Sequence, residues 1–117
     1  MQKRYRLRKN SDFLYIYRKG KSIGHPFLVL IYKRSGHSSL RIGFSITKKF
    51  GKAVKRNRIK RQLREIVSAE LENIKHGYDL VFSVRKNAAD ASFNELKNAV
   101  INLLRRARLY KEGEPAD

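Results

Sequence analysis

The fold is decided by residues 40–85, LRIGFSITKKFGKAVKRNRIKRQLREIVSAELENIKHGYDLVFSVR. Residues 40–47 alternate between apolar and other side chains, which predicts a half-buried strand. Between Ile59 and Ile74 apolar residues recur at helical spacing, which predicts a long helix. Residues 78–85 are rich in β-forming residues and predict a further strand. Strand, helix and strand in this order form a βαβ crossover if the two strands lie parallel.

Two elements are predicted before this crossover. Residues 12–19 form a helix that Asn10 or Ser11 caps. Residues 27–33, FLVLIYK, form a strand that we expect to run antiparallel to residues 40–47.

One more helix is predicted after the crossover, because Ser92 and Glu95 have the spacing of a capping box. Residues 1–9 are basic and are expected to be a flexible arm, and residues 112–117 are expected to be a frayed tail. No repeat or linker divides the chain, so residues 1–117 form a single domain. The predicted class is α+β, with helices packed on a sheet of about four strands.

Positive charge is concentrated in the first 64 residues. The chain carries 28 Lys and Arg against 10 Asp and Glu, a net charge of +18. Residues 1–64 hold 20 of the basic side chains and a single acid, Asp12. Such a stretch repels itself, so we expect a polyanionic partner. We favour nucleic acid over the alternatives, an anionic membrane surface or a merely solubilising charge.

Composition excludes several functional classes. Because the chain has no cysteine, it has neither a disulfide framework nor a cysteine-ligated zinc site, and it suits a reducing compartment. His25, His37 and His76 lie too far apart in sequence to suggest a metal cluster. The longest apolar run is far shorter than the roughly 20 residues of a membrane helix. We therefore expect a cytoplasmic protein with no membrane partner.

Residues 48–64, KKFGKAVKRNRIKRQLR, are predicted to bind phosphates. Nine of these 17 residues are Lys or Arg and none is acidic. Arginine binds phosphate with a planar fork and lysine with a mobile charge, and the start of the helix adds N–H donors. The alternative is a solvated helix face, which acidic partners at i, i+4 would normally accompany.

Asn57 is an unusual residue within this basic run, because asparagine is unfavourable inside a helix. Its amide could orient the neighbouring arginines, or hold a water of a hydrated metal ion bound to RNA. The simpler alternative is that it caps a helix turn.

Aromatic side chains are interleaved with basic ones in the first predicted helix. Phe13 and Tyr17 fall on one face. Single-stranded RNA is held by bases that stack on aromatics in a basic groove, so this face is a candidate stacking platform, with core packing as the alternative. In the next strand Phe27 and Ile31 share one face. We find no pair of carboxylates in the basic half and no nucleophile–base pair, so no catalytic residue is predicted.

The run from Gly51 to Glu65 closely resembles the RNR signature of the bacterial ribonuclease P protein component. Three further stretches resemble the same family: residues 10–13 with Gly20, residues 41–45 with Lys48 and Lys49, and residues 78–81. The resemblance therefore covers most of the chain.

The resemblance implies both a fold and a function. The order would be α-β-β-β-α-β-α in a two-layer sandwich like the second domain of ribosomal protein S5, with a left-handed βαβ crossover. The chain would be the protein subunit of ribonuclease P, one copy per catalytic RNA. It would bind that RNA and the 5′ leader of precursor tRNA, and would assist the removal of the leader. Catalysis would be done by the RNA, and Mg²⁺ would be bound mainly by the RNA.

The resemblance also implies two sets of site residues. The RNA-facing set is basic, with one amide: Lys48, Lys49, Lys52, Lys55, Arg56, Asn57, Arg58, Lys60, Arg61 and Arg64. The set for the 5′-leader cleft is Phe13, Tyr17, Phe27 and Ile31. In some relatives a strand tyrosine lines this cleft, and its nearest equivalent here is Ile31. We therefore expect a more apolar leader site, or one that takes its ring from Phe27.

Two other functions stay open at this point. One is a structural ribosomal protein bound to ribosomal RNA, and the other is a stand-alone ribonuclease. Composition does not separate the first from a ribonuclease P subunit, but the RNR run and the pair of Phe13 and Tyr17 favour the subunit.

Overall fold

The computed structural model describes residues 1–111, so the predicted frayed tail, residues 112–117, lies outside the described residues. Seven helices and strands follow the predicted order α-β-β-β-α-β-α, which is confirmed. They are α1 (Asn10–Lys19), β1 (Lys21–Gly24), β2 (Leu28–Arg34), β3 (Leu40–Ser45), α2 (Ala53–Glu70), β4 (Tyr78–Val84) and α3 (Phe93–Arg106).

The sheet has the strand order β1-β2-β4-β3. Strand β4 pairs in parallel with β3, so the βαβ crossover through α2 is present, and it pairs antiparallel with β2. Strand β3 therefore runs antiparallel to β2 as predicted, but β4 lies between them. The reason is that β4 is almost wholly buried, and such a strand gains most in the middle of a sheet. The left hand of the crossover and the likeness to ribosomal protein S5 stay predictions.

Helices cover both faces of the sheet. Leu30 and Phe82 face the main core with α2 and α3. The next positions along the strands, Ile31 and Val81, face the opposite side, where they pack with Ile16 of α1. The predicted two-layer sandwich thus corresponds to the sheet with α2 and α3, and α1 covers part of the other face.

Helix ends agree with prediction at α3 and differ at α1. Ser92 and Glu95 form the predicted capping box. The prediction that Asn10 or Ser11 caps α1 is wrong, because the helix begins at Asn10, two residues earlier than predicted, directly after Lys9. The Lys9 carbonyl accepts the backbone N–H of residues 12 and 13 instead, and no side chain caps this end.

The N-terminal segment differs from the expected flexible arm. Lys3–Tyr5 form a helical turn, and Arg6 makes a parallel bridge to Ile42 at the open edge of β3. The Leu7 N–H donates to the Ile42 carbonyl over 2.9 Å, and the Leu7 side chain is buried beside Ile16. The burial of one apolar side chain and the free edge of a strand hold this basic segment on the domain.

Glycine is required at two positions for different structural reasons. Gly20 follows α1 with a negative φ, and it is required by close packing, because an added Cβ would lie 2.6 Å from the Ile16 carbonyl oxygen. Gly77 has φ +90, a left-handed conformation that favours glycine, and it leads into β4. The helical spacing was predicted to continue to Ile74, but α2 ends at Glu70 and Leu71–Asn73 form a short turn after it. None of the helices described between residues 1 and 111 combines the length and apolarity that crossing a membrane requires.

Candidate RNA-binding site

A groove of about 530 Å³ separates α1 from the end of β3. We call it the aromatic groove. It is lined by residues of both elements, with one cation from α2. They are Asn10, Phe13, Leu14 and Tyr17 of α1, Phe44, Ser45 and Ile46 at the end of β3, and Lys60 of α2. This volume is in the range of small-molecule sites and would hold one or two bases.

Phe13 is held in the groove by the strand beneath it. Gly43 lies under the ring, and a Cβ added at Gly43 would come within 2.5 Å of the Phe13 Cζ. The absence of a side chain at Gly43 therefore lets the ring rest on the backbone of β3. Tyr17 lies one helical turn further along α1 and is 41% exposed, so its ring has a free face.

The sheet continues the groove with small side chains. Ser45 pairs with Ser83, and Ser83 pairs with Val29, so these three residues form one row across β3, β4 and β2. The row lies on the α1 side of the sheet, next to the row that contains Gly43 and Val81, and all three members are half-buried. Sequence reasoning missed this floor, although the small residues that alternate with Ile42 and Phe44 in β3 were its signal.

Two residues predicted for the leader cleft are placed elsewhere. Phe27 packs on the main core beside His25, with ring centroids 5.4 Å apart, so it lies on the sheet face opposite α1. Ile31 does face α1, as predicted, but it is only 6% exposed.

The two corrections have separate causes. Phe27 precedes β2, so strand alternation does not place it on the face of Ile31 as predicted. Helix α1 sits over β2 and covers Ile31, and the open side of α1 is the one towards β3. Phe44 and Ile46 border the groove, but their side chains pack on the main core, with the Phe44 ring stacked on Phe82 at 6.0 Å, so they do not replace the predicted wall on the α1 face.

The basic run occupies the start of α2 and the turn before it. Helix α2 begins at Ala53 without a side-chain cap, so the first N–H groups of the helix are unpaired and point outward. Phe50 is buried and anchors the preceding turn. The lysines around this helix start are all exposed: Lys48, Lys49, Lys52 and Lys55.

Arg56 and Asn57 have different roles within the run. The Arg56 Nη1 donates to the Gly51 carbonyl over 2.5 Å, so this guanidinium ties the preceding turn to α2. Asn57 is exposed, and its side chain has no hydrogen-bond partner within residues 1–111, so it neither caps a turn nor orients an arginine there. Its amide is therefore available to a ligand.

The cations of α2 point in two directions. Lys60 lines the aromatic groove, and Arg64, one turn later, is half-buried on the same side. Arg58 is about 200° around the helix from Lys60, since each residue turns it by about 100°. Arg58 and Arg61 are exposed. The run thus presents one set of cations to the groove and another to open solvent.

The single acid of the basic half is engaged in the fold. Arg41 donates to Asp79 over 3.0 and 2.9 Å, and its Nη1 lies 3.4 Å from Asp12 of α1. The hydrogen bonds to Asp79 raise the pKa of the Arg41 guanidinium, although its partial burial opposes them. Asp12 therefore helps to join α1 to the sheet and does not neutralise the RNA-facing cations.

Metal-ligating side chains are sparse. Within residues 1–111 no three His, Cys, Asp or Glu side chains come together as metal ligands. Asp12, the one carboxylate among residues 1–64, is held by Arg41, so the cationic surface does not fit a Mg²⁺ site built from protein carboxylates.

Fold and charge together define the class, a small basic α+β domain whose cationic helix and aromatic groove suit RNA. The family model described as Ribonuclease P matches residues 1–108. The ribonuclease P protein component of Clostridium botulinum (strain Langeland) is 42% identical over 109 residues, which cover 92% of this chain and 98% of the relative.

Solved structures agree with the sequence relatives. The RNase P protein of Thermotoga maritima is 35% identical with a TM-score of 0.80, over 86% of this chain and 96% of that chain. A Staphylococcus aureus RNase P protein mutant with defective mRNA degradation activity is 33% identical with a TM-score of 0.85, over 91% of this chain and 90% of that chain. The chain belongs to the family of the bacterial ribonuclease P protein component. It is the protein subunit of an RNA–protein endoribonuclease that processes tRNA 5′ ends, and the ribonuclease P RNA is its partner.

Proposed function

We propose that this chain binds the 5′ leader of precursor tRNA in the aromatic groove while the outward cations of α2 bind the ribonuclease P RNA, one protein to each RNA. The observation that carries the proposal is the position of the groove. It lies directly beside the cationic helix, and Lys60 belongs to both. A single-stranded leader can therefore stack on Phe13 and Tyr17 while the outward side of the same helix holds structured RNA by its phosphates.

The distribution of charge supports separate binding surfaces for the leader and for the ribonuclease P RNA. Phosphate contacts supply affinity without reading sequence, which suits a protein that must accept many leaders. The groove floor of Ser45 and Ser83 is small and polar, so it admits a base without selecting one. The ribosomal-protein alternative is set aside, since the family match covers nearly the whole chain.

We infer that catalysis belongs to the RNA and that Mg²⁺ is held mainly by the RNA. The protein's part is to add positive charge beside the RNA, which lowers the electrostatic cost of bringing two RNA molecules and Mg²⁺ together. The lack of carboxylates on the cationic surface supports this assignment.

Reconstitution with ribonuclease P RNA tests the proposal. We expect the protein to raise precursor-tRNA cleavage at low Mg²⁺, and to bind precursor tRNA more tightly as the leader lengthens from one to several nucleotides. An affinity that is independent of leader length would refute the leader assignment. The control substrate is the same precursor tRNA with a leader of one nucleotide.

The related Staphylococcus aureus RNase P protein, which has a mutant with defective mRNA degradation activity, suggests a second activity for this chain. That activity is the degradation of mRNA by the protein alone. The test is incubation of the purified chain with an unstructured mRNA, with and without ribonuclease P RNA. Under the primary proposal the chain alone leaves the mRNA intact. Cleavage that copurifies with the chain and disappears in a Phe13→Ala or Arg61→Gln variant would establish the second activity and overturn the view that only the RNA is catalytic.

A further inference from the structure

A second hollow, of about 230 Å³, adjoins the aromatic groove. It shares Phe13, Phe44 and Lys60 with the groove. Its remaining charged residues are Arg6 and Arg8 from the N-terminal segment and Arg64 from α2. We call the four cations Arg6, Arg8, Lys60 and Arg64 the basic basin.

The basin is assembled from the N-terminal segment and one side of α2. The N-terminal segment is extended at Arg6, so Leu7 points into the protein and its neighbours Arg6 and Arg8 point the other way. Lys60 and Arg64 are one helical turn apart and lie on one side of α2. The bridge from Arg6 to Ile42 brings the two pairs together across the edge of β3.

Among residues 1–111 the cations of the basin have no carboxylate counterion. The ion pairs found among residues 1–111 are both made by Arg41, with Asp12 and with Asp79. No carboxylate lines the hollow. Four cations in one hollow repel each other, and a phosphate with its charge and acceptor oxygens removes that repulsion.

We propose that the basic basin binds a backbone phosphate of the same single strand whose bases occupy the aromatic groove, and that Arg6 and Arg8 are therefore substrate-binding residues. The inference rests on the proposed leader function. It follows from contiguity, since the hollow and the groove share the Phe13 ring. It assigns Lys60 and Arg64 to the leader and leaves Arg58 and Arg61, on the outer side of α2, for the ribonuclease P RNA.

The test uses the reconstituted holoenzyme and precursor tRNA with an eight-nucleotide leader. A neutral methylphosphonate replaces one leader phosphate at a time, and the dissociation constant is measured for the wild type and for the double variant Arg6→Gln, Arg8→Gln. At one leader position we expect the neutral linkage to weaken binding by about tenfold in the wild type and by less than about twofold in the variant. The matched control is Lys97→Gln with Lys111→Gln, which removes two exposed cations elsewhere and should retain the wild-type pattern.

The outcomes separate the inference from the function on which it rests. If the variant weakens binding of ribonuclease P RNA and shows no coupling to any leader phosphate, the basin belongs to the RNA subunit and the inference is overturned. Equal methylphosphonate effects in the wild type and the variant would overturn it too. If leader length has no effect on the wild type at all, the proposed leader function itself fails. Thermal unfolding of the variant, expected within a few degrees of the wild type, shows that the chain is folded.

Discussion

The Phe13 ring rests on Gly43, and the Cβ that any other residue would bring there would lie 2.5 Å from the Phe13 Cζ and 2.7 Å from its Cε1. A residue with no side chain in β3 thus sets the position of a ring in α1. The relationship connects the core to the site, because the same ring lines both the aromatic groove and the basic basin.

The substitution Gly43→Ala is expected to displace Phe13. Overpacking of this kind costs about 1–3 kcal/mol of unfolding free energy, measured by urea denaturation, and the displaced ring should also weaken leader binding. Gly24→Ala is the control, because an added Cβ there meets nothing closer than 3.7 Å. Unchanged stability and leader affinity in Gly43→Ala would show that Phe13 does not depend on this contact.

Tyr17 and Tyr15 form a natural pair for testing the groove. Both are exposed, at 41% and 47%, but Tyr17 lines the groove and Tyr15 lies near Lys33 on another side of α1. Tyr17→Ala should lower the affinity for a long-leader precursor by about 1–3 kcal/mol, the range of base stacking, with little change for a one-nucleotide leader. Tyr15→Ala should leave both affinities unchanged. Equal losses in the two variants would argue against a stacking site at Tyr17.

The outward cations of α2 predict a change in salt dependence. Arg58→Gln and Arg61→Gln should each reduce the slope of log affinity for ribonuclease P RNA against log salt by about 0.7–0.9, the value for one phosphate contact. Arg85→Gln, which removes an exposed arginine outside the basic run, is the control. A slope that stays at the wild-type value in both α2 variants would remove these arginines from the RNA interface.

The Arg41–Asp79 pair is expected to stabilise the fold. Asp79 is buried, and Asp79→Asn would leave Arg41 without its bidentate partner, at a cost of about 2 kcal/mol in urea unfolding. The cost is less than that of a fully buried pair, since the Arg41 side chain is 34% exposed. The control is the double variant Arg41→Gln, Asp79→Asn. If its loss of unfolding free energy equalled the sum of the losses in the two single variants, the two side chains would be independent, contrary to this expectation.

His25 predicts a weak dependence of stability on pH. Burial, and secondly the positive charge of Arg106, lower the pKa of His25 below its ordinary value of 6.5. The unfolded chain therefore binds a proton first as the pH falls, so the contribution of His25 is complete above about pH 6.5 and is lost below it. Unfolding free energies at pH 7.5 and 5.5 should differ more in the wild type than in His25→Gln. A chemical-shift titration that gives His25 a pKa above 6.5 would contradict this prediction.

Prediction from the sequence succeeded where the information is local. The apolar spacing of Ile59, Leu63 and Ile66 predicted α2. The alternation of residues 40–47 predicted β3, which the structure ends at Ser45. Ser92 and Glu95 gave the start of α3. It failed at Asn10 and Ser11, because a backbone carbonyl can accept the N–H groups that a cap would otherwise take.

The candidate site was predictable in part for the same reason. That Phe13 and Tyr17 share a face follows from helix geometry, and the groove does contain both. The β-strand side of the groove could not be predicted from helix geometry. Phe27 was one of two expected outcomes for the strand wall, yet it packs on the other face of the sheet, as the Phe44 ring does, so Phe13 and Tyr17 of α1 supply the aromatic rings of the groove.

The sequence by itself determined the charge division at residue 64, the family, and the order of helices and strands except for β1, which only the family resemblance implied. These properties depend on composition and short-range spacing. Only the tertiary structure decided that β4 lies between β2 and β3, that Leu7 holds the N-terminal arginines beside Lys60, and that Gly43 supports Phe13. Each of these depends on pairing between segments far apart in the chain, where the free energy comes from burial and strand edges that no local pattern encodes.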